Sequence, residues 1–287
     1  MDTSEQLYEQ DATGWRRGLY DDVKRTFRAP IVNWIFRTAV ANAPAFTRYA
    51  WGQVKPLFET RGFARVSVRY RDAVRSSLDL PTYRRAETGV SPAEFAELRG
   101  QLATFDVVAP RLAVLFETMD RALHADHDPT PTDERWATRP YPDWLDRERG
   151  SPPTMVDTPP EDLAETVDSL RAFHGFEGDL PSIYRCLAQW PTFLDTLWTD
   201  LEPVFEGDGF DEACERSSEV VDEFVSNAPY RPRLAPDDLR ALGMGDDAIE
   251  GVQGLFRQFN TGPVETVLPA LPALAATVDA SGERSLG

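Results

Sequence analysis

Lysine is nearly absent from this sequence. Only two lysines occur among 287 residues, Lys24 and Lys55, whereas 48 acidic residues bring the formal net charge to −18. Arginine therefore supplies almost all of the positive charge. A strongly acidic surface with little lysine is typical of a halophilic protein, because salt screens the repulsion between its hydrated carboxylates. An ordinary acidic protein from a GC-rich genome would show the same bias, so both origins stay open.

The sequence also lacks a long hydrophobic run. No stretch of 18 apolar residues occurs, although apolar types make up 41% of the chain, so neither a transmembrane helix nor a membrane partner is predicted. The first residues, MDTSEQLYEQ, are acidic and polar, unlike the start of a secretory signal peptide. We therefore expect a cytoplasmic protein. Its two cysteines, Cys186 and Cys214, are then expected to stay reduced as structural thiols.

Histidine is scarce as well, and the common catalytic motifs are missing. His124 and His127 lie three residues apart with acids between them, but no other cluster supplies further ligands, so solvated side chains at a helix end are the simpler interpretation. No G-x-S-x-G motif accompanies His174, and neither a Walker loop nor a dinucleotide fingerprint occurs. The sequence therefore predicts neither a metal site nor a nucleotide cofactor.

One stretch of the chain occurs twice. Residues 44–63 and 191–210 align without gaps over 20 positions, of which 8 are identical, whereas unrelated sequences would match at about one or two. A tandem repeat is the simplest explanation. We predict a first helical repeat at 1–125, a proline-rich linker at 126–160, a second helical repeat at 161–279 and a tail at 280–287.

The apolar spacing within both repeats is helical. No alternating run of β-branched residues has the length of a strand, so the predicted fold is all-α. Pro44 and Pro191 suit the first position of a helix, Pro56 is expected to kink its helix or begin a new turn, and Pro110 is expected to begin a separate helix. The other helices are predicted at 14–27, 63–78, 92–107, 161–173, 210–224, from Pro236, at 246–259 and at 263–279.

The charge is distributed unevenly between the repeats. Residues 14–85 carry 15 basic and 5 acidic groups, whereas residues 161–228 carry 3 basic and 17 acidic groups. Opposite charges could attract within the chain or across a dimer, or the arginines could neutralise acids close to them. Arg61, Arg65 and Arg69 share one helix face that could grip phosphates, but the net charge of −18 repels a polyanion, so nucleic acid is not an expected partner.

Two short segments combine aromatic, polar and basic residues just before the repeated stretch. An apolar pocket with an arginine nearby would suit a small carboxylate. Alternatively, both arginines tie helix ends together and the aromatics belong to the core, which the sequence favours equally. The candidate pocket residues in these segments are Asn33, Trp34, Arg37, Ser182, Ile183, Tyr184 and Arg185.

In order along the chain, these residues resemble the DehI-type group I 2-haloacid dehalogenases, a family often labelled halocarboxylic acid dehydrogenase. The resemblance covers nearly the whole chain and is carried by LYDDVK at 19–24, PIVNWIFR at 30–37, YAW at 49–51, KP at 55–56, YRCLA at 184–188 and WP at 190–191. It implies an all-α pseudo-dimer of two repeats with the active site between them, and a homodimer. It also implies that water, activated by an aspartate, displaces the halide of a 2-haloalkanoic acid with inversion and without metal or cofactor.

The sequence departs from this family at the two positions that would activate the water. The aspartate is expected after Ser182, where Ile183 cannot accept a proton, and the asparagine is expected where Ala109 precedes Pro110. Asp179 and Asn260 are the available substitutes. Two functions are therefore predicted: a cofactor-independent dehalogenase-like hydrolase, or a non-catalytic or divergent relative that binds a small carboxylate.

Overall fold

The fold is all-α, as predicted. The computed structural model describes residues 1–2, 4–125, 145–146, 149–178, 180–228 and 231–281, and no strand occurs among them. Two short 3-10 turns, Arg85–Glu87 and Glu161–Leu163, accompany the α-helices. The helices are α1 Gly14–Phe27, α2 Trp34–Asn42, α3 Pro44–Phe58, α4 Arg61–Ser76, α5 Pro92–His124, α6 Ala164–His174, α7 Ser182–Leu187, α8 Pro191–Phe205, α9 Asp208–Ser226, α10 Pro236–Ala241, α11 Asp246–Asn260 and α12 Pro263–Thr277.

The helices form two compact units, and each unit combines three segments of the chain. Unit 1 consists of Met1–Ser67, Arg111–Arg147 and Val221–Thr261. Unit 2 consists of Val68–Pro110, Glu148–Val220 and Gly262–Gly287. Because each unit takes helices from both predicted repeats, the units do not coincide with the repeats. Helices α4, α5 and α9 each contribute to both units.

An aromatic cluster fills the core of each unit. In unit 1, Phe27 at the end of α1 meets Phe36 at 5.7 Å, Trp51 at 5.8 Å and Phe58 at 5.0 Å between ring centroids. In unit 2, Phe173 contacts Trp198, Phe205 and Phe210 at 5.6–5.8 Å. Aromatic contacts of this kind, edge-to-face in unit 1 and partly tilted in unit 2, add to the hydrophobic stabilisation of a core. They hold α1 against α2 and α3 in unit 1, and α6 against α8 and α9 in unit 2.

Proline begins two helices of equal length, as predicted. Pro44 begins α3 and Pro191 begins α8, and each helix has 15 residues. At the first helical position the missing N–H has no helical acceptor to lose. Helix α3 continues through Pro56 and ends two residues later at Phe58.

The prediction that Pro110 begins a separate helix is wrong. Helix α5 runs unbroken for 33 residues from Pro92 to His124 with Pro110 inside it. An internal proline leaves the carbonyl four residues earlier without its helical donor, and that carbonyl belongs to Asp106. Arg71 supplies the missing donor, because its Nε lies 3.1 Å from the Asp106 carbonyl oxygen. A side chain of α4 therefore replaces the hydrogen bond that Pro110 removes.

In the part of the chain that the structure describes, no helix combines the length and apolar character needed to cross a bilayer.

Candidate functional site

Three of the predicted pocket residues lie at the start of α2 in unit 1. Asn33 is the residue before the helix and its side chain makes no capping hydrogen bond; Trp34 is the first helical residue and is 43% exposed, and Arg37 lies one turn later. The Arg37 guanidinium stacks over the ring of Tyr8 at 5.0 Å, and the Trp34 ring meets Phe259 edge-on at 5.4 Å. This cluster therefore combines a cation with exposed aromatic surface.

An apolar cavity lies in the same unit, between α2, α3, α5 and α11. It is small, with a volume of about 10 Å³, which leaves room for roughly one group of the size of a water molecule. The hydroxyl of Thr47 in its wall already donates to the Ala43 carbonyl at 2.8 Å. The cavity suits an alkyl group or a halogen rather than a carboxylate. Its lining residues are Ile35, Phe36, Ala39, Phe46, Thr47, Ala50, Trp51, Val54, Leu115, Met119 and Phe256.

The second predicted segment forms the short helix α7 in unit 2. Ser182 is its first residue, and the next two side chains are buried, Ile183 being 1% exposed and Tyr184 0%. Arg185 donates from Nε to the Val156 carbonyl at 2.9 Å and lies 3.4 Å from the Asp157 carboxylate. These contacts favour the structural interpretation of Arg185, since its guanidinium holds the segment that leads into the second repeat.

Helix α7 is anchored by a buried histidine that the sequence analysis did not place in the site. His174, at the end of α6, is 4% exposed. Its Nε2 lies 2.6 Å from the Tyr184 hydroxyl and its Nδ1 lies 2.7 Å from the hydroxyl of Thr266 in α12. Burial lowers the pKa of His174 to about 3 and raises the pKa of Tyr184 far above its usual value. His174 is therefore neutral, and Tyr184 keeps its proton.

Gln101 makes a second polar link to α7, from helix α5. Its Oε1 accepts hydrogen bonds from the Cys186 thiol at 3.0 Å, the Gln189 amide at 3.0 Å and the Thr154 backbone N–H at 2.8 Å. Burial raises the pKa of the Cys186 thiol to about 12, so this thiol is a hydrogen-bond donor and not a nucleophile. Ala109, two turns further along α5, is 0% exposed and also belongs to unit 2.

Asn260 lies in unit 1, in a polar network between α5 and α11. Its Nδ2 donates to Glu117 at 2.8 Å and to Asp120 at 3.2 Å. The Asp120 carboxylate also accepts from Arg257 at 2.7 Å and lies 3.0 Å from Nδ1 of His124. Because the amide nitrogen is shared by two carboxylates, only the Asn260 amide oxygen is left for other partners. The described residues hold no group of three or more acids, histidines or cysteines that could bind a metal ion.

The predicted site residues therefore fall into two groups. The first group, in unit 1, is Asn33, Trp34, Arg37 and Asn260; the second, in unit 2, is Ala109, Ser182, Ile183, Tyr184 and Arg185. That the segments around α2 and α7 share one pocket stays a prediction. Asp179 and His127 lie outside the described residues.

His174 carries a signal that sequence reasoning could have used. It lies 147 residues after Phe27, the offset that separates Pro44 from Pro191. Phe27 is the centre of the unit 1 aromatic cluster. A polar residue at the matching position of the second repeat predicts a buried hydrogen bond, because buried polar groups are almost always paired.

Known proteins resemble this chain over most of its length. The sequence model of the family DehI, halocarboxylic acid dehydrogenase, matches residues 30–155. A configuration-inverting 2-haloacid dehalogenase of Pseudomonas sp. (strain 113) is 25% identical over 266 residues, which covers 89% of this chain and 85% of the relative. An (R)-2-haloacid dehalogenase of Rhizobium sp. (strain NHG3) is 23% identical and covers 80% of this chain and 90% of the relative.

Solved structures of D-2-haloacid dehalogenases share the fold. A mutant enzyme in complex with D-2-CPA superposes with a TM-score of 0.77 at 19% identity, covering 95% of this chain and 94% of that chain. An enzyme in complex with L-LA gives a TM-score of 0.79 at 18% identity and covers 95% of both chains. The all-α fold is thus the helical fold of D-2-haloacid dehalogenases. The resemblance of this chain to the DehI-type 2-haloacid dehalogenase family, predicted from its sequence, is therefore confirmed.

Proposed function

We propose that this protein is a cofactor-independent hydrolase of the 2-haloacid dehalogenase type that acts on a small 2-halo carboxylate. The similarity to curated 2-haloacid dehalogenases over 80–89% of the chain carries this proposal. Arg37 supplies a cation for the carboxylate, with exposed Trp34 beside it. The apolar cavity behind α2 suits an alkyl group or halogen. The reaction breaks the carbon–halogen bond, forms a carbon–oxygen bond to water, and releases a halide ion and a proton.

The reaction also needs a residue that acts as the general base and takes a proton from water. The sequence resemblance implies that Ile183 stands at the place of the family's aspartate and Ala109 at the place of its asparagine. We propose Asp179 as the substitute base, because it is the nearest acid in sequence to Ser182. We propose Asn260 as a contributor through its amide oxygen, since its amide nitrogen already binds Glu117 and Asp120.

A second candidate function is binding of a small carboxylate without catalysis. The buried Ile183 motivates this candidate, because an apolar side chain that is 1% exposed cannot activate water. The attachment of Arg185 to Val156 and Asp157 points the same way, because it removes one of the two predicted carboxylate ligands. A binding protein would keep the Arg37 cluster and lose only the base.

Formation of lactate from D- and L-2-bromopropionate in molar KCl separates the two functions. Lactate is the product to measure, because its chirality reports whether the reacting carbon has been inverted. A hydrolase forms lactate from at least one enantiomer, and Asp179→Asn abolishes it if Asp179 is the base. Folded protein that forms none, while 2-bromopropionate raises its melting temperature, is the carboxylate-binding relative.

Restoring the acid tests whether the site around α7 can still be catalytic. Ile183→Asp should raise lactate formation, with Ile183→Asn as the matched control that adds polarity without a base. Both variants place a polar group in a position that is 1% exposed, so Ile183→Asn should cost about 1–3 kcal/mol of stability and Ile183→Asp should cost more, because its carboxylate can carry a charge. Equal rates for the two variants would contradict a catalytic role for position 183.

We further propose that the chain is a tandem repeat forming a pseudo-dimer, with repeats at 1–125 and 161–279. The residue after α1, Arg28, has φ 52°, and the residue after α6, Gly175, has φ 73° and lies 147 positions later. In unit 1 the Trp51 indole donates to Asp22 at 2.8 Å, and Asp22 also binds Lys55. In unit 2, residues at the same offset repeat this pattern with Trp198, Ser169 and Glu202.

The remaining proposals concern the setting of the protein. We propose a homodimer in a salty cytoplasm, supported by the net charge of −18 and the opposite charge of the two repeats. Light scattering on a sizing column in low and molar salt tests the dimer. Thermal unfolding in the same two buffers tests the adaptation to high salt. A monomer in both buffers would contradict the dimer, and a melting temperature that does not rise with salt would contradict adaptation to high salt.

A further inference from the structure

The sequence resemblance implies that a 2-haloacid dehalogenase would carry its base at position 183, on helix α7. One buried side chain, His174, connects α7 to two other helices. We propose that His174 is a positioning residue: its neutral imidazole joins α6, α7 and α12 of unit 2 and thereby fixes the orientation of Ser182 and of the side chain at position 183. This inference rests on the proposed function, because it assigns to His174 a part in arranging that site.

The hydrogen bonds around His174 have a defined direction. The Thr266 hydroxyl donates to the Pro263 carbonyl at 3.1 Å, so its oxygen accepts from His174 Nδ1 at 2.7 Å. Nδ1 therefore carries the imidazole proton, and Nε2 accepts the Tyr184 hydroxyl proton at 2.6 Å. In this series of three hydrogen bonds, from Tyr184 to His174, Thr266 and Pro263, each donor has one acceptor. The arrangement fixes the imidazole ring and, through it, the Tyr184 ring.

The surroundings of His174 keep this arrangement constant. Helix α7 contributes the Tyr184 hydroxyl, helix α12 contributes Thr266, and the rings of Phe173 and Phe176 cover the imidazole at 4.7 and 6.4 Å. Nearby charges are engaged elsewhere: Arg171 of α6 binds the Gly178 carbonyl and Asp168, and Glu265 of α12 accepts from the Gly262 N–H. Burial lowers the pKa of His174, so the imidazole stays neutral at any neutral or mildly acidic pH.

Unit 1 shows that the fold does not require a histidine at this place. The residue 147 positions earlier is Phe27, which joins α1 to α2 and α3 through its contacts with Phe36 and Trp51. The Phe27 side chain contributes to that cluster by packing, without a hydrogen bond of its own. The histidine in unit 2 adds what packing cannot supply, because a hydrogen bond fixes direction as well as distance. The difference between the clusters therefore concerns orientation rather than stability alone.

The first test measures α7 directly and does not depend on any activity. His174→Phe removes both hydrogen bonds, whereas His174→Gln keeps an amide that can donate to Thr266 and accept from Tyr184. Loss of a buried hydrogen-bond partner should speed amide hydrogen exchange in residues 182–188 by about tenfold in His174→Phe. His174→Gln should stay close to the wild type. His124→Gln, which changes a histidine of unit 1, is the control and should leave α7 exchange unchanged.

The second test uses lactate formation from the better enantiomer of 2-bromopropionate. Misplacement of a catalytic side chain by about 1 Å can cost about 100-fold in rate, so in the Ile183→Asp background, where position 183 carries an acid, His174→Phe should lower kcat about 10- to 100-fold with KM nearly unchanged. His174→Gln should recover most of this rate. Unaltered α7 exchange in His174→Phe, or equally faster exchange in α8, overturns the inference. Faster exchange confined to α7 without lactate from any variant supports the inference and contradicts the proposed function.

Discussion

Replacing Asp106 by asparagine should destabilise unit 2 strongly. The Asp106 side chain is 0% exposed, and its Oδ2 lies 3.9 Å from Arg71 Nε and 2.8 Å from an Arg149 Nη2. Asparagine keeps the shape of the side chain but removes its charge. Arg71, itself 1% exposed, would then remain buried without this counter-ion. Breaking a buried ion pair in this way costs about 3–5 kcal/mol, which corresponds to a fall in melting temperature of roughly 6–20 °C.

Thermal unfolding of Asp106→Asn, followed by circular dichroism in low and molar salt, measures this cost. The loss of stability in Asp106→Asn should depend little on the salt concentration, because buried charges are screened far less than exposed ones. Asp237→Asn is the matched control, since Asp237 is 97% exposed and binds Arg240 at 2.8 Å; its melting temperature should equal that of the wild type. A loss below about 1 kcal/mol for Asp106→Asn would show that the Arg71 charge does not depend on this carboxylate.

Two further predictions concern pH and glycine. The pKa of His174 is lowered to about 3 in the folded protein, so the unfolded state takes up a proton below about pH 6.5, and about 2–3 kcal/mol of stability should be lost on going from pH 7 to pH 4.5. Urea titrations should show a smaller loss in His174→Phe, and equal losses would contradict a neutral His174. Gly150→Ala should cost about 1–3 kcal/mol, because Gly150 has φ +85° and its Cβ would lie 2.8 Å from the Thr104 nitrogen. Gly18→Ala, in open space on α1, should instead stabilise by about 0.5–1 kcal/mol; the opposite order in melting temperature would refute this assignment.

Local sequence signals predicted most of the helices, because their causes are local. Pro44 and Pro191 each begin a helix, because proline suits the first helical position and the residue before each proline is not helical. Pro110 gave the wrong boundary, since the donor that tolerates it belongs to Arg71, 39 residues earlier in the chain. No local sequence pattern predicts the hydrogen bond between Arg71 and the Asp106 carbonyl.

The site was predicted less completely, for the same physical reason. The sequence placed Ser182 and Tyr184 on one short segment, and α7 contains both. The partners that orient this segment lie far away: His174 is ten residues before Tyr184, and Thr266 is 92 residues after His174. Arg185 likewise binds Val156, which precedes it by 29 residues. Residue type indicates what a side chain can bind, but only the packed fold selects its partner.

The interleaved composition of the two units has a consequence for synthesis on the ribosome. Unit 1 needs residues up to Thr261 and unit 2 needs helix α12, which begins at Pro263. Neither unit can close while only the first two thirds of the chain have emerged, although many domains fold as units during translation. Both units must be completed almost together, by contacts between segments that are distant in sequence, which slows folding. For the same reason, no single uninterrupted fragment of the gene encodes either unit.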